Sequence, residues 1–132
     1  MLHHTAYHNQ PKVMEIYLKY YRKQLENNNR TLSEIRQMTR EFLDSDNHEG
    51  YTAAHYAAYR GNVAVLKVIE KYDGNMRLTN YLKMGALHLA AQGDKVASFL
   101  YFHPLGLDIN LKDAKMSTPL HWAAFSGSEQ IV

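Results

Sequence analysis

Thr52-Ala53-Ala54-His55-Tyr56-Ala57-Ala58, Gly85-Ala86-Leu87-His88-Leu89-Ala90-Ala91 and Thr118-Pro119-Leu120-His121-Trp122-Ala123-Ala124 are one phrase written three times. Each histidine stands 33 residues after the one before. A fixed period of this length marks a supersecondary unit stacked on copies of itself, because one such unit cannot bury its apolar face alone. The flanking text keeps register. Asn47, Asn80 and Asp113 each stand eight residues before a histidine, as short polar side chains suited to a turn. Gly61 and Gly127 follow their histidines by six residues, and Gly93 follows His88 by five, which predicts a turn one residue short in the middle unit. The reading is all-α: helix–turn–helix units joined by hairpin-like turns. Thr118 can cap a helix through its hydroxyl, and Pro119 at the first helical position has no N–H to leave unpaired. The alanine pairs make a thin helix that neighbours can approach closely. The glycines end it in a left-handed conformation that other residues resist.

This pattern resembles the ankyrin repeat, a 33-residue unit with a Thr-Pro-Leu-His-x-Ala signature. The likeness is strongest over residues 47–132. It departs from the signature at Ala53 and Ala54 and again at Gly85 and Ala86, changes expected to weaken local capping. Leu2-His3-His4-Thr5-Ala6-Tyr7-His8-Asn9 fits the inner helix of an earlier unit, with Asn9 in the glycine's place. Val13, Ile16, Tyr17 and Tyr20 then form an i, i+3, i+4, i+7 stripe, expected to be the buried face of an outer helix. From His3 to His55 is 52 residues, one period plus nineteen, so this unit carries an insertion. Within it, Thr31-Leu32-Ser33-Glu34 reads as a capping box. Leu32, Ile35, Met38, Phe42 and Leu43 are compatible with one apolar face of an added helix. The chain thus divides into a partial repeat with an inserted helix (1–46), a repeat (47–79), a repeat (80–112) and a final unit cut short (113–132), expected to fray between residues 118 and 126 and to mark a fragment.

Composition fits one small domain. At 132 residues and 45% hydrophobic content, the chain lies in the single-domain range of roughly 100–150 residues. It has no cysteine, hence no disulfide framework and no thiol chemistry. Met1-Leu2-His3-His4 has neither the basic flank nor the apolar run of a signal peptide. The most apolar stretch, 97–107, is interrupted by His103 and Pro104 and falls short of the ~20 residues of a membrane span. A net charge of +2 and a pI near 8.8 are too mild to argue for nucleic acid. The expectation is a cytoplasmic monomer with a protein or peptide partner, no nucleic acid and no membrane insertion. Residues 12–41 hold seven Lys or Arg and four Glu. We read that mixture as a solvated helical face; contact with an acidic partner or membrane headgroups is the alternative.

Chemistry is scarce. His4 and His8 lie i, i+4 beside His3, but zinc needs three or four ligands and no cysteine or well-spaced acid completes the set. His55, His88 and His121 are accounted for by the repeat, in which a histidine can bridge backbone groups between units. Stacking sets them in a row and does not converge them on one substrate. Ser117, Ser126 and Ser128 stand near His121 and Asp113 without a nucleophile elbow. Gly61, Gly74, Gly85 and Gly93 are scattered singly and form no phosphate loop. We expect no catalytic residues, no cofactor and no metal.

Binding has positive content. The residue after each histidine and the residue three further on share one helix face: Tyr56 and Tyr59, Leu89 and Gln92, Trp122 and Phe125. Stacked side by side, they make an aromatic stripe on the concave face, where Trp and Tyr are favoured anchors. Alternatively, Tyr56 and Trp122 simply fill space against the next inner helix. Arg60 joins the candidates, with Tyr51, Tyr81 and Lys115 among the turn tips, where His48, Glu49, Leu82, Met84, Ala114 and Ser117 also lie. Turn tips tolerate variation and so suit specificity, though they are also ordinary loops.

A finer likeness covers about the last fifty residues. Gly106-Leu107-Asp108-Ile109-Asn110, the run Ser117–Glu129 and the short form Leu87-His88-Leu89-Ala90-Ala91-Gln92-Gly93-Asp94 are similar to the ankyrin segment of some Asp-His-His-Cys palmitoyltransferases. That likeness implies a cytosolic, substrate-recruiting segment with its groove around Trp122 and its catalysis elsewhere. Two function classes therefore stand, an interaction module and the recruiting segment of a membrane acyltransferase, with a ligand-free spacer as the third.

Overall fold

The computed structural model describes residues 2–125, and all regular structure among them is helical. Helices α1 (Leu2–Tyr7), α4 (Ala53–Arg60), α6 (Ala86–Gln92) and α8 (Pro119–Phe125) pack side by side as an inner row. Helices α2 (Pro11–Asn27), α5 (Val63–Lys71) and α7 (Val96–Phe102) form an outer row, each packed on the inner helix before it. A single 3-10 turn, His103–Leu105, extends α7. The inserted helix α3 (Leu32–Leu43) packs on α2. Ser126 to Val132, and with them Gly127, Ile131 and Val132 of the final unit, lie outside the described residues.

The alanines set the spacing of the inner row. Ala53, Ala54, Ala57, Ala58, Ala86, Ala90, Ala91 and Ala123 are all buried, small side chains that let neighbouring inner helices approach closely. Helices α4, α6 and α8 begin on one recurring lock. In α4 the Thr52 hydroxyl accepts the His55 N–H, and His55 Nδ1 accepts the Thr52 N–H at 2.9 Å. In α8, Thr118 and His121 repeat it at 3.0 Å. Gly85 has no hydroxyl to offer, but its N–H still donates to His88 Nδ1 at 3.1 Å. The departures from the signature at Ala53 and Ala54 leave the Thr52 cap intact. At Gly85 half of the cap is missing.

Helix ends repeat as well. Asn9, Gly61 and Asp94 stand six residues after His3, His55 and His88, and all three adopt positive φ (52°, 73° and 53°). The next N–H in each case reaches back to a carbonyl five residues earlier: Gln10 to Thr5, Asn62 to Ala57, Lys95 to Ala90. This corrects the expectation of a shortened middle turn. The left-handed residue of that turn is Asp94, in register, and Asn and Asp accept this conformation better than other non-glycine residues. Gly93 has an ordinary φ of −86°. It is glycine because a Cβ there would sit 2.2 Å from the Tyr59 carbonyl oxygen.

Two expected apolar faces are also corrected. In α2 the buried residues are Met14, Leu18 and Leu25, with Tyr17 packed against the core and Tyr21 stacked on Phe42 of α3. Val13, Ile16 and Tyr20 are exposed. In α3 the buried line is Ile35, Thr39 and Leu43, and Leu32 faces solvent. The capping box at Thr31 and Glu34 is present in both directions. Helix α3 is tied to the second unit at two places: Arg36 Nη2 lies 3.3 Å from an Asp73 carboxylate oxygen, and Asp44 at its C-terminal end accepts the Asn75 N–H at 2.9 Å.

Candidate functional site

The turns between units are built by one side chain used the same way three times. Asn47 Oδ1 accepts the N–H groups of Glu49 and Tyr51, Asn80 Oδ1 those of Leu82 and Met84, and Asp113 Oδ1 those of Lys115 and Ser117, at 2.9–3.0 Å. The backbone closes each loop, with N–H groups of Asn47, Asn80 and Asp113 donating to the carbonyls of Tyr51, Met84 and Ser117. Successive turns are then stitched together: Tyr81 N–H donates to the Glu49 carbonyl and Ala114 N–H to the Leu82 carbonyl. Tips and inner helices therefore form one continuous surface of fixed geometry.

The side chain after the histidine is anchored to that turn. The Asn47 amide donates to the Tyr56 hydroxyl at 2.7 Å. The Trp122 indole N–H donates to Asp113 Oδ2, also at 2.7 Å. Burial by itself would raise the Asp113 carboxyl, but the Trp122 indole and the Ser117 and Lys115 N–H groups hold it below its ordinary value. Tyr56 and Trp122 thus have their polar tips satisfied internally, and what they offer outward is ring surface. Leu89, with no polar tip, is buried at the equivalent place in the middle unit.

Five of the expected residues line a single cleft. Tyr51, Tyr56 and Tyr59 from the second unit and Leu89 and Gln92 from the third enclose about 220 Å³ together with Tyr7 and His55. Tyr7 was not among the sequence candidates, although it stands four residues after His3 as Tyr59 stands after His55. Its ring meets Tyr56 edge-on at 6.2 Å, and the Arg60 guanidinium covers it at 4.6 Å. The aromatic stripe therefore begins one unit earlier than expected. Trp122 and Phe125 lie in a second hollow of about 300 Å³ with Lys115, Ser117 and His121. Their rings meet edge-on at 6.3 Å. Tyr81 belongs to neither hollow; it is an exposed tip residue whose hydroxyl donates to Asp46 at 3.2 Å. Of the other tip residues, Leu82 is exposed and Met84 is buried in the core.

The histidines do structural work. His55 Nε2 lies 2.9 Å from the Leu78 carbonyl oxygen and His88 Nε2 lies 2.9 Å from that of Ser117. Since Nδ1 of each accepts a backbone N–H, Nε2 carries the proton and donates. Each ring thereby joins the start of its own helix to the connection that leads into the next unit. His3 makes the same kind of contact with the Ser45 carbonyl. His4 and His8 stack at 4.4 Å, and among the described residues no group of three or more His, Asp or Glu is placed to hold a metal ion. No helix among the described residues is long and apolar enough to cross a membrane.

Comparison with known proteins agrees with this architecture. The family profile described as ankyrin repeats in three copies matches residues 2–113. The human protein named ankyrin repeat domain-containing protein 53 is 35% identical over 98 residues, which is 70% of this chain and 18% of that protein. Human inversin is 26% identical over 137 aligned positions, covering 99% of this chain and 11% of inversin. The Notch-regulated ankyrin repeat-containing protein of Xenopus tropicalis is 36% identical over 59 residues, 45% of this chain and 52% of that protein. The chain thus spans less than a fifth of the first two relatives. None of the three lends support to the finer likeness with palmitoyltransferases.

Proposed function

The chain belongs to the ankyrin-repeat family, and from that premise we propose that it binds a peptide or protein segment along its inner-helix face, centred on the cleft of Tyr7, Tyr51, Tyr56, Tyr59, Leu89 and Gln92. Ankyrin repeats are generally protein-interaction modules; the choice of this cleft is ours. The observation that carries it is the convergence of aromatic rings from neighbouring units on one open hollow, with the Tyr56 hydroxyl tied back to the turn through Asn47. Rings held this way cost little further entropy on binding, which favours them as anchors. Trp122, Phe125 and Lys115 extend the surface toward the last unit, and Arg60 supplies a cation at its other end. A linear segment lying across the units would place apolar side chains in the two hollows and a carboxylate near Arg60 or Lys115.

A displayed library of linear peptides, selected on the 132-residue chain, tests this reading. Enriched peptides should lose about tenfold or more in affinity on Tyr56→Ala or Trp122→Ala, since each substitution removes over 1.4 kcal/mol of ring burial. Peptides that bind both variants as tightly as the parent chain would place the binding surface elsewhere.

A further inference from the structure

The outer helices carry two apolar faces, and among the described residues the first unit leaves one of them exposed. Val13, Ile16, Lys19 and Tyr20 stand 10, 13, 16 and 17 residues after His3; Val65, Val68, Lys71 and Tyr72 stand at the same distances after His55. In the second unit this face packs against the unit before it. Val65 and Tyr72 are 0% and 4% exposed, and Lys71 and the Tyr72 hydroxyl both close on the Glu15 carboxylate of α2. The third unit turns the corresponding face the same way, with the Tyr101 hydroxyl on Glu70 and the Leu66 carbonyl of α5. In the first unit Val13, Ile16 and Tyr20 are 38%, 65% and 64% exposed.

We propose that the Val13–Ile16–Lys19–Tyr20 face of α2 is a docking surface for an amphipathic helix of a partner protein, which stacks on α2 as α2 stacks on α5 and carries a carboxylate where Glu15 stands in that contact. The register specifies the chemistry of the occupant. An apolar ridge meets Val13 and Ile16, and one acidic side chain is clasped between the Lys19 ammonium and the Tyr20 hydroxyl. Charge favours the same partner, because Lys12 and Lys23 flank the strip on the exposed side of α2 by helical spacing. Lys19 has only a 3.9 Å contact with Glu15 of its own helix, with the lysine 68% exposed. A second copy of this chain is a poor occupant. Its α2 carboxylate, Glu15, is already engaged by Lys71, and the position in α5 equivalent to Glu15 is Lys67. The position in α7 equivalent to Glu15 is Leu100.

The probe is a fluorescent peptide of residues 11–27, stapled as a helix on the face away from Glu15 and titrated with the full 132-residue chain. Anisotropy should show saturable binding that weakens about tenfold or more on Ile16→Asp and on Lys19→Glu, the loss of one buried side chain or one charge-assisted hydrogen bond. A peptide with lysine at the Glu15 position should recover affinity for the Lys19→Glu chain and lose it for the parent. Both substituted side chains point into solvent, and far-UV circular dichroism confirms that the variants keep their helices. Absence of saturable binding, or binding indifferent to Ile16→Asp, overturns the proposal. It is equally overturned in favour of self-association if the free chain sediments as a dimer that Ile16→Asp dissociates. Binding to vesicles of phosphatidylserine and phosphatidylcholine that Ile16→Asp abolishes, without peptide binding, overturns it in favour of a membrane surface.

Discussion

A single imidazole shows how a repeated residue can hold a fold through its tautomer. His55 is buried, takes a backbone N–H on Nδ1 and gives its Nε2 proton to the Leu78 carbonyl. The Nδ1 bond requires the neutral ring, whereas the Nε2 bond survives protonation. A second proton would enter at Nδ1 and point at the Thr52 N–H, breaking the helix cap while charging a buried group. Burial accordingly pushes the His55 pKa below its ordinary 6.5, partly offset by the bond to Leu78, with His3 lowering it further. A histidine that is harder to protonate when folded stabilises the native state fully above its unfolded value. That contribution declines as pH drops below about 6.5 and through the depressed folded value. We therefore expect the urea midpoint of the chain to decline between pH 7.5 and 5. In His55→Gln, whose amide takes up no proton, the decline should be shallower from a lower starting stability. Parallel pH profiles for the two chains would show that His55 is not the group responsible.

At the scale of the helix, the inserted α3 separates what an apolar pattern says from what packing uses. Its buried line, Ile35, Thr39 and Leu43, runs at i, i+4, i+8, and Thr39 fits there because its hydroxyl returns to the Ile35 carbonyl at 2.6 Å. Leu43 reaches the core beside Gly74, where an added Cβ would press on both Leu43 and Ile69. Leu43→Ala should cost about 2–5 kcal/mol, whereas Leu32→Ala on the solvent side should change stability by no more than about 0.5 kcal/mol. Urea denaturation of the two variants checks the contrast, and equal costs would mean that α3 packs on another face. The inner helices were legible because histidine, alanine pairs and turn residues each carry a positional constraint, so a period of 33 exposes them all together. The outer helices were less so. In α2 both Met14-Leu18-Leu25 and Val13-Ile16-Tyr20 are apolar lines at helical spacing, one buried and one exposed at the positions that in the second unit face the unit before it. Periodicity cannot rank two such faces; alignment on the histidine register does. The same alignment would have found Tyr7 for the cleft, where Tyr59 stands in the second unit, and Asp94 for the middle turn, where the residue type differs from Gly61 while the backbone position is the same.

Across the whole molecule, stability among the described residues rests on packing between neighbouring units, as expected for a stacked repeat, with the Tyr81–Asp46 hydrogen bond alone reaching from the third unit to the end of the first. Two polar side chains mark the joints. Asn62 Nδ2 donates to the Ala6 and Tyr7 carbonyls, and Ser98 Oγ donates to the Ala58 carbonyl. Ala6 and Ala58 both stand three residues after their histidines, so each joint satisfies the same orphan carbonyl at the end of the preceding inner helix. Removing the Asn62 amide leaves those carbonyls partly buried without their donor, at a cost of about 1–3 kcal/mol. The loss falls on one interface and leaves the α4–α6 and α6–α8 contacts as they were. Trp122 is the only tryptophan and reports the C-terminal end of the stack through its bond to Asp113, while far-UV circular dichroism reports every helix. In the parent chain the two signals should lose structure together, as in a cooperative transition. In Asn62→Ala the dichroism should fall first, as α1, α2 and α3 come away, and the tryptophan signal should follow at higher urea. Coincident transitions in that variant, shifted by the same amount, would mean that coupling between the first and second units rests on the apolar packing of α1 with α4 and of α2 with α5, and that the Asn62 bridge adds stability without controlling cooperativity.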